Sequence, residues 1–374
     1  MIIAVAVVFG FKETVKDKLF VFLGNVQIAP FNPNPTTIIT PEPFDLDEKI
    51  IKQVKSEPGV VSIFPFAVKP AILNSPVTMQ GIKLKGVDHT YNWESTDAIN
   101  FTGAVIDYNK PDYSAEIVVS ETVLNKLQQK IGDTLVAMFI DPQQEFPRMR
   151  KLKIVGSYHS GMEEVDDKFA FCDIRLLRRI SNWGDKSING YQVALKDYTQ
   201  ADTIANRIYQ KYLQPPMDRT TTQEVYPNIF NWLELMNTNA YIILAIMAIV
   251  AVINMSTALL IFIMERTNMV GTLKALGMPT SEMQKIFLYH ATKVALKGIL
   301  IGTVIGVGFC VFQYYTHAIG LDEGTYYMQY VPIKLAAWHV ILVDIATLAF
   351  SMLVMLIPSL MVRSINIVKA LRFK

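Results

Sequence analysis

The sequence predicts an α-helical membrane bundle joined to a large α+β domain that lies outside the cytoplasm. Hydrophobic residues make up 51% of the 374 residues, and charged residues only 18%. These apolar residues are unevenly distributed: residues 236–374 are mostly compatible with lipid, whereas residues 12–235 have the composition of a water-soluble domain. A chain this apolar is not disordered, and two cysteines, Cys172 and Cys310, are too few for a disulfide scaffold.

The chain begins with an apolar run, residues 1–11, that is half the length of a membrane span. No positive residues precede this run, as they would in a signal peptide. We therefore interpret it as the C-terminal half of a first transmembrane helix. This interpretation predicts four spans, the first of them truncated, and a native protein that starts upstream of Met1.

The predicted outer domain alternates strand and helix patterns. Val77–Val87 and Lys151–Val155 place apolar residues on one face and lysines on the other, which is typical of strands. Ser120 is expected to cap a helix over residues 120–130. Gly132 is expected to end that helix before a strand over 133–140.

The second half of the outer domain continues this alternation. The pattern predicts a strand over 191–195, a helix over 199–213, and a helix over 228–239 that continues into the second span as a stalk. The Pro-rich residues 30–43 are predicted to form a loop. We expect residues 40–225 to fold on their own, because they hold enough apolar residues for a core.

Three later segments have the length and hydropathy of membrane spans. The loop between the first two of them and the C-terminal tail carry more Lys and Arg than the loop between the last two, so both face the cytoplasm. The predicted division is residues 1–11 half-span, 12–235 outer domain, 236–264 stalk and second span, 265–286 cytoplasmic coupling segment, 287–316 third span, 317–335 outer loop, 336–362 fourth span and 363–374 cytoplasmic tail.

Several kinds of chemistry have no motif in the sequence. A net charge of +2 is too weak to indicate a nucleic-acid partner. The G-x-x-x-x-G-K-[ST] phosphate loop, the H-E-x-x-H zinc motif, paired cysteines and the G-x-S-x-G elbow are all missing. We therefore expect no catalytic residue, no metal and no cofactor. The acidic residues at 163–164 and 166–167 are interpreted as a solvated turn, with a metal site as the less favoured alternative.

Three regions resemble the FtsX/MacB superfamily of ABC-transporter permeases. Ala4–Gly24 resembles the end of the family's first span. Met264–Met278 (MERTNMVGTLKALGM) resembles its cytoplasmic signature E-[RK]-x(3)-[IV]-G-x-L-K-A-x-G. The third region is Leu321–Ile333 with the tail Ile365–Phe373. Within the superfamily, the chain is most similar to the lipoprotein-releasing permeases LolC and LolE.

Two features depart from the family pattern. The basic cytoplasmic segment and full first span that open the family's sequences are truncated here. The hook loop with which LolC-type permeases engage a lipoprotein-handling chaperone corresponds to Asp141–Arg148, which is short. The short loop places LolC-like chaperone capture in question and leaves a LolE-like role or a different substrate open.

The resemblance implies a permease subunit of an ABC transporter in the bacterial inner membrane, with a MacB-like periplasmic domain. A separate ATPase subunit would hydrolyse ATP, and two permease chains would transmit the motion through their spans to a lipoprotein or other periplasmic partner protein, in contact with membrane lipid. Two alternatives are a MacB-like efflux permease with a separate ATPase and an FtsX-like signalling scaffold that controls a cell-wall hydrolase. The sequence leaves the substrate, the ATPase and the choice between homodimer and heterodimer open.

The coupling segment is where the resemblance places contact with the ATPase. Met269, Leu273 and Leu276 recur at helical spacing and form an apolar stripe of the kind that docks in a groove. The alternative is an amphipathic helix on the membrane surface. The expected ATPase-coupling residues are Glu265, Arg266, Met269, Gly271, Leu273, Lys274, Leu276 and Gly277, of which Gly277 is also expected to terminate the helix.

Two features of the later spans are also predicted. Gly298, Gly302 and Gly306 recur every four residues and are expected to form a helix-packing face, within the bundle or between two chains. Asp344 lies about eight residues into its span. We expect it to be hydrated near the outer interface, which Trp338 marks, rather than to serve a function within the membrane.

Overall fold

The computed structural model describes residues 1–31, 42–93, 99–139 and 146–359. The chain divides into two compact units. The helical unit consists of Met1–Lys12, Asn231–Gly320 and the chain from Tyr330 onward. The sheet unit consists of Glu13–Phe230 and Leu321–Gln329.

Three sequence predictions fall wholly or largely outside the described residues. These are the cytoplasmic tail 363–374, most of the Pro-rich loop 30–43, and most of the short loop 141–148 that corresponds to the family's hook.

The sheet unit is built from strands with short helices between them. Its strands are β1 (Val26–Pro30), β2 (Phe44–Asp45), β3 (Val60–Asn74), β4 (Met79–Val87), β5 (Asn100–Gly103), β6 (Glu116–Ser120), β7 (Thr134–Phe139), β8 (Arg148–His159), β9 (Phe169–Asp173), β10 (Ser187–Ile188), β11 (Gly190–Leu195) and β12 (Met217–Thr221). Its helices are α2 (Glu48–Lys55), α3 (Glu121–Leu127), α4 (Glu163–Asp166), α5 (Ile174–Ser181), α6 (Ala201–Tyr212), α7 (Thr222–Val225) and α11 (Glu323–Tyr326).

Ten of these twelve strands form one large mixed sheet, with nine of them in the order β12-β1-β11-β3-β4-β9-β6-β8-β5, while β2 and β10 pair with each other in a separate two-stranded sheet. Strand β7 lies off this path and pairs with both β3 and β8. Because β7 joins two strands that are already linked through β4, β9 and β6, these strands close into a ring. A closed ring leaves no unpaired strand edge among its own members.

The interior of this ring is the core of the sheet unit. Residues alternate along each strand, so that Leu135, Ala137 and Phe139 of β7 point inward while Val136 and Met138 between them point outward. Leu84, Ile117, Leu152 and Cys172 are among the fully buried residues contributed by other strands. The helices α2, α3, α5 and α6 pack their apolar faces onto this sheet.

Several local predictions are confirmed in the sheet unit. The Ser120 side chain accepts a hydrogen bond from the Val123 amide at the start of α3. The expectation that Gly132 ends this helix is wrong: the helix ends earlier, at Leu127, because Gln128 adopts a left-handed conformation. Gly132 has a φ of +101° just before β7 begins, which favours glycine at this position.

The predicted folding fragment 40–225 leaves out strand β1. This strand lies between β11 and β12 and pairs with both of them. Its residues Val26 and Ile28 are fully buried. The fragment 40–225 would lack β1, and β12 would lose its neighbour in the sheet.

The helical unit contains the long apolar helices. Its helices are α1 (Ile2–Leu23), α8 (Pro227–Glu265), α9 (Thr267–Ala275), α10 (Thr280–Thr316) and α12 (Ala337–Ser359). The division between the units falls within α1, after Lys12, and within α8, after Phe230. The helix predicted over 228–239 does continue into the following apolar segment, because α8 runs without a break from Pro227 to Glu265.

Among the described residues, three helices are long and apolar enough to cross a membrane: α8, α10 and α12. The predicted count of four spans is not confirmed. Helix α1 has 22 residues, but its second half carries Lys12, Lys16 and Lys18 and so is not compatible with lipid.

Candidate functional site

The predicted coupling segment contains a short helix, α9, between the long helices α8 and α10. The helix ends in a Schellman motif, in which the Gly277 amide donates to the Lys274 carbonyl and the Met278 amide donates to the Leu273 carbonyl, each at 3.0 Å. Gly277 has a φ of +85°. The prediction that this glycine terminates the helix is therefore confirmed.

The buried side of α9 differs from its predicted apolar stripe. Val270 and Gly271 are buried, and Val270 belongs to an apolar cluster with residues of α8, α10 and α12. Leu273 packs against the edge of that cluster. Met269 and Leu276, by contrast, are 40% and 78% exposed. The stripe therefore divides into one inward residue and two outward ones.

The polar residues of the segment lie beside this exposed pair along the chain. Glu265 and Arg266 are exposed, and Lys274 is half-buried. The Arg266 guanidinium lies 6.0 Å from the centre of the Phe262 ring, within the range of a cation–π contact. Exposed apolar side chains beside charged ones are typical of a surface that binds a partner. A role of these residues in ATPase coupling stays a prediction.

The three predicted packing glycines differ in their surroundings. Gly306 is buried, and a Cβ added there would lie 3.5 Å from the Cβ of Ile2 in α1. Gly298 and Gly302 have no heavy atom within 4 Å of an added Cβ among the described residues. Of these three glycines, Gly306 alone packs against another part of the described chain, and Gly298 and Gly302 present an open helix surface there.

Asp344 has a hydrogen-bond partner that the sequence analysis did not identify. The Thr303 hydroxyl of α10 lies 2.9 Å from both carboxylate oxygens of Asp344 in α12. This pair links two candidate spans, and polar residues in such helices generally face one another or a cavity. No sequence signal pairs Thr303 with Asp344, because 41 residues separate them.

The outer surface of the strand ring carries an apolar face that the sequence analysis missed. Ile72, Met138 and Met149 are aligned in register across β3, β7 and β8 and point away from the core. Met79 on β4 extends this face and is 62% exposed. We call the methionine face the set Ile72, Met79, Val136, Met138 and Met149.

Lysines border the methionine face. Lys151 and Lys153 of β8 pair in register with Val136 and Thr134, and Lys83 of β4 pairs with Pro70. Methionine side chains adapt their shape to different partners. The alternation along each strand was visible in the sequence, but the neighbouring strands that assemble this face were not.

The C-terminal end of α1 is held by buried side chains of the sheet unit. The Phe22 ring lies 5.1 Å from that of Tyr158 and 5.6 Å from that of Phe171, centre to centre. The Lys85 ammonium donates to the carbonyl of Phe22 and to the side chain of Gln192. A helix end leaves carbonyls without partners, and the Lys85 ammonium supplies a donor for the carbonyl of Phe22. Burial lowers the pKa of Lys85 to about 7.

The acidic residues 163–167 are part of a turn and helix rather than an open cluster. The Asp166 carboxylate is buried and accepts hydrogen bonds from the Ser160 amide, the Ser160 hydroxyl and the Gly161 amide. Burial raises the pKa of Asp166, and these hydrogen bonds oppose that rise. Among the described residues, no group of three His, Cys, Asp or Glu side chains is arranged to hold a metal ion.

Two family models match this chain. The model of the MacB-like periplasmic core domain matches residues 1–211, and the model of the FtsX-like permease C-terminal region matches residues 241–367. The match to the second model covers the exposed helix α9 and all of α10 and α12.

Named relatives match along almost the whole chain. The lipoprotein-releasing system transmembrane protein LolC of Neisseria meningitidis is 20% identical over 100% of this chain and 91% of its own length. The corresponding LolE of Haemophilus influenzae is 19% identical over 96% of this chain and 87% of its own length. The solved periplasmic region of MacB from Actinobacillus actinomycetemcomitans is 13% identical and covers 59% of this chain and 98% of its own, with a TM-score of 0.38.

Proposed function

The chain belongs to the family of FtsX-like permeases with a MacB-like periplasmic core domain, and we propose that it works in lipoprotein release from the bacterial inner membrane. It is an ABC-transporter permease. The further proposal is that it acts by mechanotransmission: an ATPase moves the cytoplasmic side, and the spans carry that motion to the periplasmic domain. The names of its full-length relatives support a lipoprotein as the cargo.

The observation that carries this proposal is the exposed surface of α9. Met269 is exposed on α9 and Leu276 is exposed at its end, while the buried Val270 packs the helix against α8 and α10. A packed helix with exposed apolar side chains suits a groove on a partner protein. Because α9 adjoins two candidate spans, a push on it would reach both of them.

The ATPase in this proposal is a separate subunit. The sequence contains no phosphate-binding loop, so ATP binding and hydrolysis are assigned to a partner that docks on α9. Glu265, Arg266 and Lys274 would form ion pairs around the apolar contact, which favours correct orientation of the partner more than affinity.

A second permease chain is also part of the proposal. Gly298 and Gly302 leave an open surface on α10, and small residues let helix backbones approach closely in lipid. The three candidate spans of one chain are too few to build an ABC permease core. A second permease chain, in a homodimer or a heterodimer, would supply the remaining spans.

The methionine face is our candidate surface for the periplasmic partner. Its apolar centre would accept an apolar part of a lipoprotein or of another periplasmic protein. The bordering lysines Lys83, Lys151 and Lys153 would favour a partner with acidic side chains around that part.

The test of this proposal is the substitution Leu276→Asp. A carboxylate placed in a dry docking groove lacks a partner and costs several kcal/mol. We expect the variant to lose binding of the ATPase subunit and the associated ATP turnover, measured by co-purification and phosphate release in nanodiscs.

A matched control adds the same charge on the same helix. Asn268 is exposed in the first turn of α9, where a negative charge is favourable, so Asn268→Asp is expected to bind the ATPase as the wild type does. If Leu276→Asp also binds and turns over normally, α9 is not the coupling element.

A further inference from the structure

Residues Leu321–Gln329 belong to the sheet unit, although along the chain they lie between α10 and α12 of the helical unit. The segment is ordered by its own short helix α11, in which the Asp322 side chain accepts a hydrogen bond from the Thr325 amide. Met328 is buried. We call these residues the docked segment.

The docked segment is held by short polar contacts. Nε2 of His159, at the end of β8, lies 2.6 Å from Oε1 of Glu323. On the other side, the Lys18 ammonium of α1 donates to the Tyr327 carbonyl at 2.6 Å. Within the segment, the Gln329 amide donates to the other Glu323 oxygen at 3.1 Å. The segment thus contacts both β8 and α1.

Gly161 shows how closely the segment approaches the sheet unit. A Cβ added to this residue would lie 2.5 Å from Oε1 of Glu323 and 2.9 Å from the Tyr327 carbonyl oxygen. Both distances are shorter than a carbon–oxygen contact allows, so a larger residue would displace the segment. Gly161 also has a φ of +73°, which itself favours glycine.

The charges around Glu323 favour this position. Lys18 is buried, which lowers its pKa, while Glu323 and Asp166 act in the opposite direction. Nδ1 of His159 lies 3.7 Å from Oδ2 of Asp166. Glu323 therefore has Lys18 and His159 as neighbours. A substitution that removes its carboxylate would leave the buried Lys18 with less negative charge to balance its own.

We propose that the docked segment is a second mechanical link of the permease, with Glu323 as the residue that positions it. The chain enters the segment from α10 and leaves it toward α12, so a displacement of either helix pulls on a segment that is fixed to β8 and α1. This inference rests on the mechanotransmission in the proposed function. It adds a route through α10 and α12 to the one through α1 and α8.

The test uses the full-length chain with its ATPase subunit in nanodiscs. Glu323→Lys places a positive charge beside His159 and Lys18, and Glu323→Gln removes the charge while keeping the shape. Gly324→Lys is the matched control, because an added Cβ there meets only Asp322 Oδ2, at 3.7 Å. It introduces a lysine into the same segment without removing a contact.

The first readout is amide hydrogen exchange of residues 321–329. We expect Glu323→Lys to speed exchange by about tenfold or more, since a hydrogen bond to a charged group contributes about that factor. Glu323→Gln should give a smaller increase, and Gly324→Lys none. Unchanged protection in Glu323→Lys would overturn the docking role of this residue.

The second readout is the change in exchange of the sheet unit when Mg-ATP and vanadate are added. We expect Glu323→Lys to reduce this change while ATP turnover continues, which a purely structural contact would not do. If the sheet unit of Glu323→Lys shows the full ATP-driven change in hydrogen exchange although its docked segment is released, the segment is not a mechanical link. If the wild type itself shows no such change, the mechanotransmission proposal fails, and the link fails with it.

Discussion

The two units of the molecule use the same apolar residues in opposite ways. In the sheet unit, Ile117, Leu135 and Leu152 are fully buried inside the strand ring. In the helical unit, Ile246 and Leu300 are more than half exposed on helices that could span a membrane. The sheet unit therefore derives its stability from contacts within the chain, whereas the helical unit depends on lipid or a second chain to cover its surface.

The prediction with the largest expected effect concerns whether the sheet unit folds without the helical unit. We compare a fragment of residues 13–230 with the fragment 40–225, both without the docked segment. The longer fragment should be soluble and melt cooperatively. The shorter one lacks β1, and with it the buried Val26 and Ile28 and both ladders of that strand. We expect it to lose most of a domain's usual stability of about 5–15 kcal/mol.

Thermal melting followed by circular dichroism, with size-exclusion chromatography, checks this expectation. Equal melting temperatures for the two fragments would mean that β1 is an accessory strand. Aggregation of both fragments would mean that the sheet unit needs the helical unit or the docked segment to fold.

Local sequence signals predicted the elements that the structure confirms. Ser120, Gly132 and Gly277 act on residues within five positions of themselves, so a single sequence is enough to interpret them. The alternation in Lys151–Val155 likewise depends only on neighbouring residues. These signals predicted α3, α6, the long apolar helices, several strands and the end of α9.

Long-range pairing could not be predicted in the same way. Strand β1 pairs with residues more than 160 positions away, and the ring closes only because β7 meets β3 and β8. The methionine face and the docked segment depend on these pairings. On α9, the choice of Val270 rather than Met269 as the buried residue depends on where α8 and α10 lie, which periodicity does not specify.

A matched pair of substitutions sharpens the comparison of the two units. Ile117→Ala removes a fully buried side chain from the ring and leaves a cavity, at a cost of about 2–5 kcal/mol. Ile246→Ala removes the same atoms from an exposed position on α8, and we expect less than about 0.5 kcal/mol.

Urea unfolding of the full-length protein in detergent, followed by limited proteolysis of the sheet unit, measures both effects. Similar losses of unfolding free energy in the two variants would contradict the conclusion that buried contacts within the chain stabilise the sheet unit but not the surface of the helical unit. They would indicate that the exposed surface of α8 contributes to the stability of the sheet unit.

The smallest expected effect concerns pH and the buried end of α1. Lys85 is fully enclosed, and burial lowers its pKa to about 7, whereas the ordinary value in an unfolded chain is about 10.4. Above pH 7 the folded state releases a proton that the unfolded state keeps, so the free energy of unfolding rises with pH. A neutral amine still has two N–H groups, one for the Phe22 carbonyl and one for the Gln192 side chain.

The substitution Lys85→Met isolates this contribution, because it keeps the length of the stem and removes the titrating group. Between pH 7 and pH 8, the fragment 13–230 should gain about 1 kcal/mol of stability relative to Lys85→Met, from the linkage of proton release to folding. Other groups titrate in both proteins and cancel in the difference. Urea titrations at pH 6, 7, 8 and 9 measure it. If the free energies of unfolding of the two proteins change with pH in the same way, Lys85 stays charged in the folded state. The carbonyl at the end of α1 then accepts its hydrogen bond from an ammonium rather than from a neutral amine.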